Sequence, residues 1–317
     1  MTQVSPHGLH HVTAIATDPQ ANVDFYTRAL GLRLVKQTVN FDAPDTYHLY
    51  YGDEQGSPAS LLTFFPWPGV PQGRRGAGMT TATAFSVPGT SLGWWHERFK
   101  SLRIDTDLPR TRGDEEVLTF RDPDGMVIDL VASEGDLRSG WDGVAHIPAE
   151  HAVRGLHAIT LSERHLDPSA TMLTGLLGMS LAGEEGERTR FGMAERGSGA
   201  LIDVFSGVRD RGFQAGGTVH HVAFRAPDLA TMVAWREELV SRGVAVTQIL
   251  DRQYFKSIYF REPGGVLFEI ATDAPGFAVD EPLLELGRSL KLPPWLEPNR
   301  EQIAAALPPL QLDVDVP

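Results

Sequence analysis

The 317-residue chain contains no cysteine. That absence removes disulfides, thiolate nucleophiles, iron–sulfur clusters and cysteine-ligated zinc, and leaves His, Asp and Glu as the strong metal ligands. Basic residues are also few: 28 Lys and Arg stand against 41 Asp and Glu, for a formal charge of −13. Nothing resembles the basic stripe that phosphate binding requires, so no nucleic-acid partner is expected. No apolar run is long enough to span a bilayer, and the first residues lack the charged segment and apolar core of a secretory signal. The expectation is a cytoplasmic chain with no membrane partner. Hydrophobic content of 42% and charged content of 22% are ordinary for a globular protein, and the length suits about two domains.

What the chain does have is an internal repeat. Gly8-Leu9-His10 opens a strand-like run that leads through Asp18-Pro19 to Leu30-Gly31-Leu32. Gly155-Leu156-His157 opens another, leading through Asp167-Pro168 to Leu177-Gly178-Met179 with the same Gly-to-Gly interval. Asp followed by Pro predicts a helix start in each, with Asp as cap and Pro in the first turn. The run from Gly78 to Phe85 lies over that from Gly217 to Phe224. Leu92, Trp95, Phe99 and Leu102 then recur at helical spacing, as do Leu229, Met232, Val233 and Val240. Phe120-Arg121-Asp122-Pro123-Asp124-Gly125 parallels Phe260-Arg261-Glu262-Pro263-Gly264-Gly265. Such turn chemistry puts Asp129 and Glu269 on strands leaving hairpins.

The pattern is strand, helix, then several strands, four times over, at 8–66, 78–132, 154–206 and 217–272. The fold class is α+β, with four βαβββ modules forming two curved-sheet cups. The chain divides into an N-terminal pair of modules at 1–135, a linker at 136–153, a C-terminal pair at 154–275 and a tail at 276–317. The tail carries Leu-Pro-Pro twice around a short helical run, Glu301 to Leu307, and is expected to brace the surface.

The repeat also filters candidate ligands. His157 lies over His10, so the counterpart of His11 is Ala158, and Ala82 lies over His221. Neighbours along a strand point to opposite faces, so inward-facing His11 and His221 imply an outward-facing His157. The final strands of modules two, three and four supply Asp129, Asp203 and Glu269, whereas that of module one, Ser60 to Phe64, supplies no carboxylate. A cup built from modules one and four therefore gathers His11, His221 and Glu269, with no fourth protein ligand. A cup from modules two and three gathers Asp129, Asp203, Ala82 and Ala158, a degenerate site. Two imidazoles and a carboxylate form a facial triad with open positions, which suits Fe(II) and O2, with Mn(II) as the alternative ion. Burying Glu269 without a partner would be costly, and a metal removes that cost. Asp129 is read as a remnant bonded within its hairpin. His7, His48, His96, His146, His151, His157 and His165 are read as structural or surface residues.

On these residues the chain resembles the vicinal oxygen chelate superfamily, and more closely its ring-cleaving, extradiol-like dioxygenases acting on hydroquinones. The resemblance spans nearly the whole chain. It rests also on Tyr47-His48-Leu49-Tyr50-Tyr51, the Gly-Thr-Val-His-His run at 217–221, Asp251-Arg252, and Pro263 to Glu269. It implies a glyoxalase/extradiol dioxygenase-like fold and a mononuclear Fe(II) site at His11, His221 and Glu269. It also implies supporting residues at His10, Thr13, His220, Arg252 and Tyr259. The function so implied is Fe(II)-dependent insertion of O2 into a hydroquinone or catechol-type aromatic, with that small aromatic and O2 as the partners. His220 or Tyr259 would move the proton, and Arg252 would steady negative charge. The rival readings are a glyoxalase-like lyase or isomerase, which typically offers a second carboxylate, and a non-catalytic small-molecule binding protein, which needs no triad. Exchange of modules between chains would give a homo-oligomer.

Overall fold

A computed structural model describes residues 4–194 and 197–312, so the last five residues of the predicted tail lie outside the described residues. Module one runs through β1 (Leu9–Ala16), α1 (Pro19–Asp24), β2 (Arg33–Asn40), β3 (Ala43–Gly52) and β4 (Leu61–Pro66). Module two comprises β5 (Met79–Val87), α2 (Leu92–Ser101), β6 (Arg110–Arg112), β7 (Glu115–Arg121) and β8 (Val127–Ala132). Module three has β9 (Gly155–Ser162), α3 (Leu166–Thr171), β10 (Ser180–Glu185), β11 (Arg188–Gly192) and β12 (Leu201–Phe205). Module four has β13 (Thr218–Ala226), α4 (Leu229–Ser241), β14 (Leu250–Asp251), β15 (Lys256–Arg261) and β16 (Leu267–Thr272). The α+β class and the four βαβββ units are thus as the repeat predicts. No helix among the described residues is long and apolar enough to cross a membrane.

The modules pair as the ligand filter predicts. One eight-stranded sheet joins modules four and one in the order β14-β15-β16-β13-β1-β4-β3-β2, and the other joins modules three and two as β10-β11-β12-β9-β5-β8-β7-β6. Each sheet is stitched at its middle by an antiparallel pair, β1 with β13 and β5 with β9. The apolar alternate residues of the strands pack with the helices into one core that includes Val12, Phe64, Phe224, Phe268, Trp95 and Trp235. The repeated glycine before β1 and β9 has a steric reason. Gly8 and Gly155 both hold φ at 144°, and a Cβ would come within 2.9 Å of Gly199 O and 2.7 Å of Ala59 O respectively.

Two local expectations are corrected. Asp18 caps α1, accepting from Ala21 N at 2.9 Å, with Pro19 opening the helix. Asp167 does not cap α3: the cap position falls on His165, and Asp167 sits inside the first turn. Both helices begin eleven residues after their repeat glycine, so module spacing overrides the Asp-Pro signal in module three. In α4 the buried stripe is Met232, Trp235 and Leu239, whereas Leu229, Val233 and Val240 are exposed. That stripe has the i, i+3, i+7 spacing of buried Leu92, Trp95 and Phe99 in α2, whose predicted fourth member, Leu102, is exposed at the helix end.

The tail braces module one. Lys36 on β2 is fully buried and donates to Asp280 at 2.6 Å, to Phe277 O at 3.1 Å and to Glu281. Gln37 donates to Gly287 O and Tyr47 to Pro308 O, while α5 (Arg300–Ala306) buries Ile303. Removing the ammonium would strand buried Glu281, so Lys36→Met should lower the unfolding free energy by about 3 kcal/mol, read by denaturant titration. A loss under about 1 kcal/mol would mean the tail is not held by this contact.

Asp122 supplies a pH test. Burial pushes its carboxyl up to about 7, against the pull of hydrogen bonds from Met126 N and the Tyr26 hydroxyl. Between pH 4 and 7 the folded chain keeps this proton while the unfolded chain, titrating near about 3.9, has released it. This group's contribution to stability therefore falls as pH rises through that window. Thermal unfolding at pH 5 to 7.5 should show wild type losing ground to Asp122→Asn, and parallel curves would refute the assignment.

Candidate metal centre

The register of the central strands assembles the triad. His221 on β13 stands opposite Thr13 on β1, His11 opposite Ala223, and Ala223 lies beside Glu269 on β16. Nε2 of His11 and of His221 are 3.2 Å apart, and Oε2 of Glu269 lies 3.3 Å from the first and 2.9 Å from the second. Among the described residues these three are the one group of three or more His, Asp or Glu whose ligand atoms converge in this way. Three neighbouring ligands on an octahedral face, each about 2.1 Å from an ion, are themselves about 3.0 Å apart, so the triangle fits a metal. The orphaned atom agrees: Oε1 of buried Glu269 accepts from Ser257, while Oε2 has no well-aligned hydrogen bond. Its separations from the two imidazoles are those of co-ligands. Burial opposes the charge of Glu269, yet the two histidines hold the carboxyl well below the usual range.

Each doublet sets a second imidazole against the Nδ1 of His11 or His221. Alternation is broken in both strands: β1 gains one residue between Leu9 and His11, and β13 gains one between Val219 and His221. These are β-bulges, and the extra residues are His10 and His220. Adjacent imidazoles consequently meet, with Nδ1 to Nδ1 distances of 2.9 Å for His10–His11 and 2.7 Å for His220–His221. If Nε2 of each ligand histidine keeps its lone pair, Nδ1 carries the hydrogen and donates to the bulged neighbour. His10 then holds its own hydrogen on Nε2, towards the Thr272 backbone, and His220 holds its hydrogen on a ring that lines the cavity. Burial first, and the adjacent histidine second, push both His10 and His220 down to about 3, so both are neutral near pH 7.

A cavity of about 360 Å³ opens over His11 and His221. Of the five predicted supporting residues, His220, Arg252 and Tyr259 line it; His10 and Thr13 stand behind the wall. His10 packs against Phe255, and Thr13 pairs with the Thr63 hydroxyl at 2.7 Å. Arg252 donates to the Tyr259 hydroxyl at 3.3 Å and pairs with Asp42 at 3.0 Å across the mouth. Burial opposes the charge on Arg252, but Tyr259 and Asp42 hold the guanidinium firmly protonated. His48, expected to be structural or superficial, is instead part of the cavity wall together with Tyr50. The repeat held the signal: β3–β4 pairs Tyr50 with Thr63 as β15–β16 pairs Tyr259 with Glu269.

The other cup corrects a second expectation. The same bulge occurs at His157, which therefore reaches Glu115 at 2.7 Å instead of facing away. Glu115 also meets Arg190, Arg190 and Arg188 hold Asp203, and Arg112 and Thr119 hold Asp129. Asp129 accepts from Thr119 within its hairpin, as predicted, and also from Arg112 on the adjoining β6. Ion pairs fill this cup where the first cup leaves room.

Comparison with known proteins places the chain among relatives. "Putative ring-cleaving dioxygenase MhqE" of Bacillus subtilis is 43% identical over 307 residues, covering 96% of this chain and 99% of that protein. "Chlorohydroquinone/hydroquinone 1,2-dioxygenase" of Sphingobium indicum is 34% identical over 309 residues, covering 93% and 94%. A crystal structure described as a putative dioxygenase from Bacillus subtilis superposes with a TM-score of 0.94 at 40% identity, covering 98% of this chain and 99% of that one. Maize glyoxalase I, at 16% identity, a TM-score of 0.60 and coverage of 84% and 92%, shares the fold. Residues 8–130 and 155–270 match one family throughout, and the chain belongs to the Glyoxalase/Bleomycin resistance protein/Dioxygenase superfamily.

Proposed function

We propose that the chain is a ring-cleaving dioxygenase that inserts O2 into a hydroquinone or catechol-type aromatic, using one Fe(II) held by His11, His221 and Glu269. The observation that carries this reading is the triad's facial triangle opening onto a partly aromatic cavity, with no fourth protein ligand beside it among the described residues. The module-one counterpart of Glu269 is Thr63, whose hydroxyl is already engaged by Thr13 and His48. That disfavours the lyase or isomerase reading, and the converged triad disfavours a bare binding protein. Mn(II) suits the same ligands, and metal analysis distinguishes the two ions.

The ion supplies electrophilic charge and open positions beside the cavity. The residues supply the rest. Phe255, packed on His11, and Phe65 give an aromatic ring apolar walls that limit water. Arg252 sets a fixed positive charge where negative charge grows on oxygen. The Tyr259 hydroxyl and the His220 N–H are the donors that hold or pass a proton in the cavity. Burial and Glu269 push Tyr259 above its ordinary value, so it serves as a neutral donor.

Anaerobic loading with Fe(II), then oxygen uptake on hydroquinones and catechols, tests the reaction; one O2 consumed per ring opened is expected. Glu269→Ala should lose both iron and turnover, and Ser257→Ala should weaken metal binding about 10- to 100-fold by freeing the carboxylate to turn. Full iron content in Glu269→Ala would sink the ligand assignment. Tyr259→Phe should retain iron and lower kcat about a hundredfold. An unchanged kcat would remove Tyr259 from the proton path.

A further inference from the structure

The cup has an internal two-fold that the metal triad does not use up. Strand register equates Tyr50 with Tyr259, Thr63 with Glu269, and His48 with Ser257. In module four, Ser257 donates to Glu269 and so serves the metal. In module one the carboxylate is gone, and His48 faces Thr63 instead, Nε2 to Oγ1 at 2.9 Å. Its Nδ1 meets the Tyr50 hydroxyl at 2.8 Å. Both ring nitrogens of His48 are thus engaged, and its ring is held between Tyr50 and Phe65, with centroids 4.0 and 4.3 Å away.

We propose that Tyr50, held by His48, is a specificity-determining station that reads a second hydroxyl on the aromatic ring, on the opposite side of the cup from Tyr259. The proposal rests on the dioxygenase reading, because it presumes an aromatic diol in this cavity. Tyr50 lines the cavity, is otherwise buried, and has His48 as the hydrogen-bond partner of its hydroxyl among the described residues. Phe277 packs edge-on to its ring at 5.1 Å and fixes it in place. The chain Tyr50–His48–Thr63–Thr13 can run in either direction, since every member can both donate and accept. Run one way, Tyr50 donates to His48 and leaves its oxygen to accept from a ring hydroxyl. Run the other way, Thr63 donates to His48, His48 donates to Tyr50, and the Tyr50 hydrogen is free for a phenolate. His48 is a positioning residue: it acts on the ligand only through Tyr50. A ring lacking the second hydroxyl would leave Tyr50 bonded to His48 but with its cavity-facing hydrogen-bonding capacity unused, which disfavours that ring by about one net hydrogen bond.

The test is anaerobic calorimetric titration of the Fe(II)-loaded protein with hydroquinone and with phenol. Wild type should bind hydroquinone about tenfold more tightly than phenol, the worth of about one net hydrogen bond. Tyr50→Phe, which removes one oxygen atom, should abolish that ratio while leaving phenol affinity within about twofold, since the metal end is untouched. His48→Phe keeps the stacked ring but loses both hydrogen bonds, and should abolish the ratio as well. His48→Gln should restore part of it, which mere packing would not do. Thermal melts confirm that each variant is folded. Retention of the full ratio in Tyr50→Phe, or equal loss of both ligands, overturns the proposal. Oxygen uptake by the same wild-type preparation separates the two readings: turnover with an unaltered ratio in Tyr50→Phe sinks the station alone. A wild type that binds neither phenol sinks both.

Discussion

The antiparallel pairing of β1 with β13 is the contact on which the site depends. It joins segments more than two hundred residues apart in sequence, and it carries two bulges that are related by the internal repeat. A bulge adds one residue to one strand and resets the facing of everything beyond it. Here it lets two consecutive histidines share a side, so each ligand imidazole has a second imidazole at its Nδ1. A regular ladder would have sent one member of each doublet to the opposite face and left the ligand tautomers unset. The pairing thus brings His11 and His221 together and gives each Nδ1 a neighbouring imidazole.

Glu269 is the second constraint. It is fully buried with one oxygen orphaned, a state that is costly unless charge arrives to meet it. The two cups answer this problem differently. In the degenerate cup Arg190 occupies the position of Tyr50, and Asp203 the position of Thr63. Guanidinium groups there satisfy Asp129, Asp203 and Glu115 directly. In the other cup Oε2 of Glu269 keeps no such partner, and Tyr50 stands where Arg190 stands in the degenerate one. One fold has therefore turned equivalent positions into a filled cup and an open one.

The tail joins this arrangement to the rest of module one. Phe277 stacks on Tyr254 with ring centroids 5.0 Å apart and also touches Tyr50, while the neighbouring Asp280 accepts from Tyr254 and from Lys36. Phe255, next along the chain, rests on His10 and His11. The wall behind the triad is consequently supported by buried contacts on both sides, which is what a preorganised site requires.

The ligand types, the four modules and their pairing were legible in the sequence because each follows from residue identity compared across a repeat. Missing cysteine fixed the ligand chemistry, and the loss of a carboxylate from module one marked which cups differ. Local signals failed where a nonlocal contact outranked them: Asp167-Pro168 predicted a cap that module spacing moved to His165, and the expected apolar stripe of α4 rotated to Met232, Trp235 and Leu239. His48 carries no signal of its own in the sequence, because a lone histidine between tyrosines has no meaning until Thr63 and Phe65 are beside it. The sequence by itself determined which residues are able to bind a metal. Only the tertiary structure decided which way they point, because a bulge is a property of two strands in register and is not written in either one.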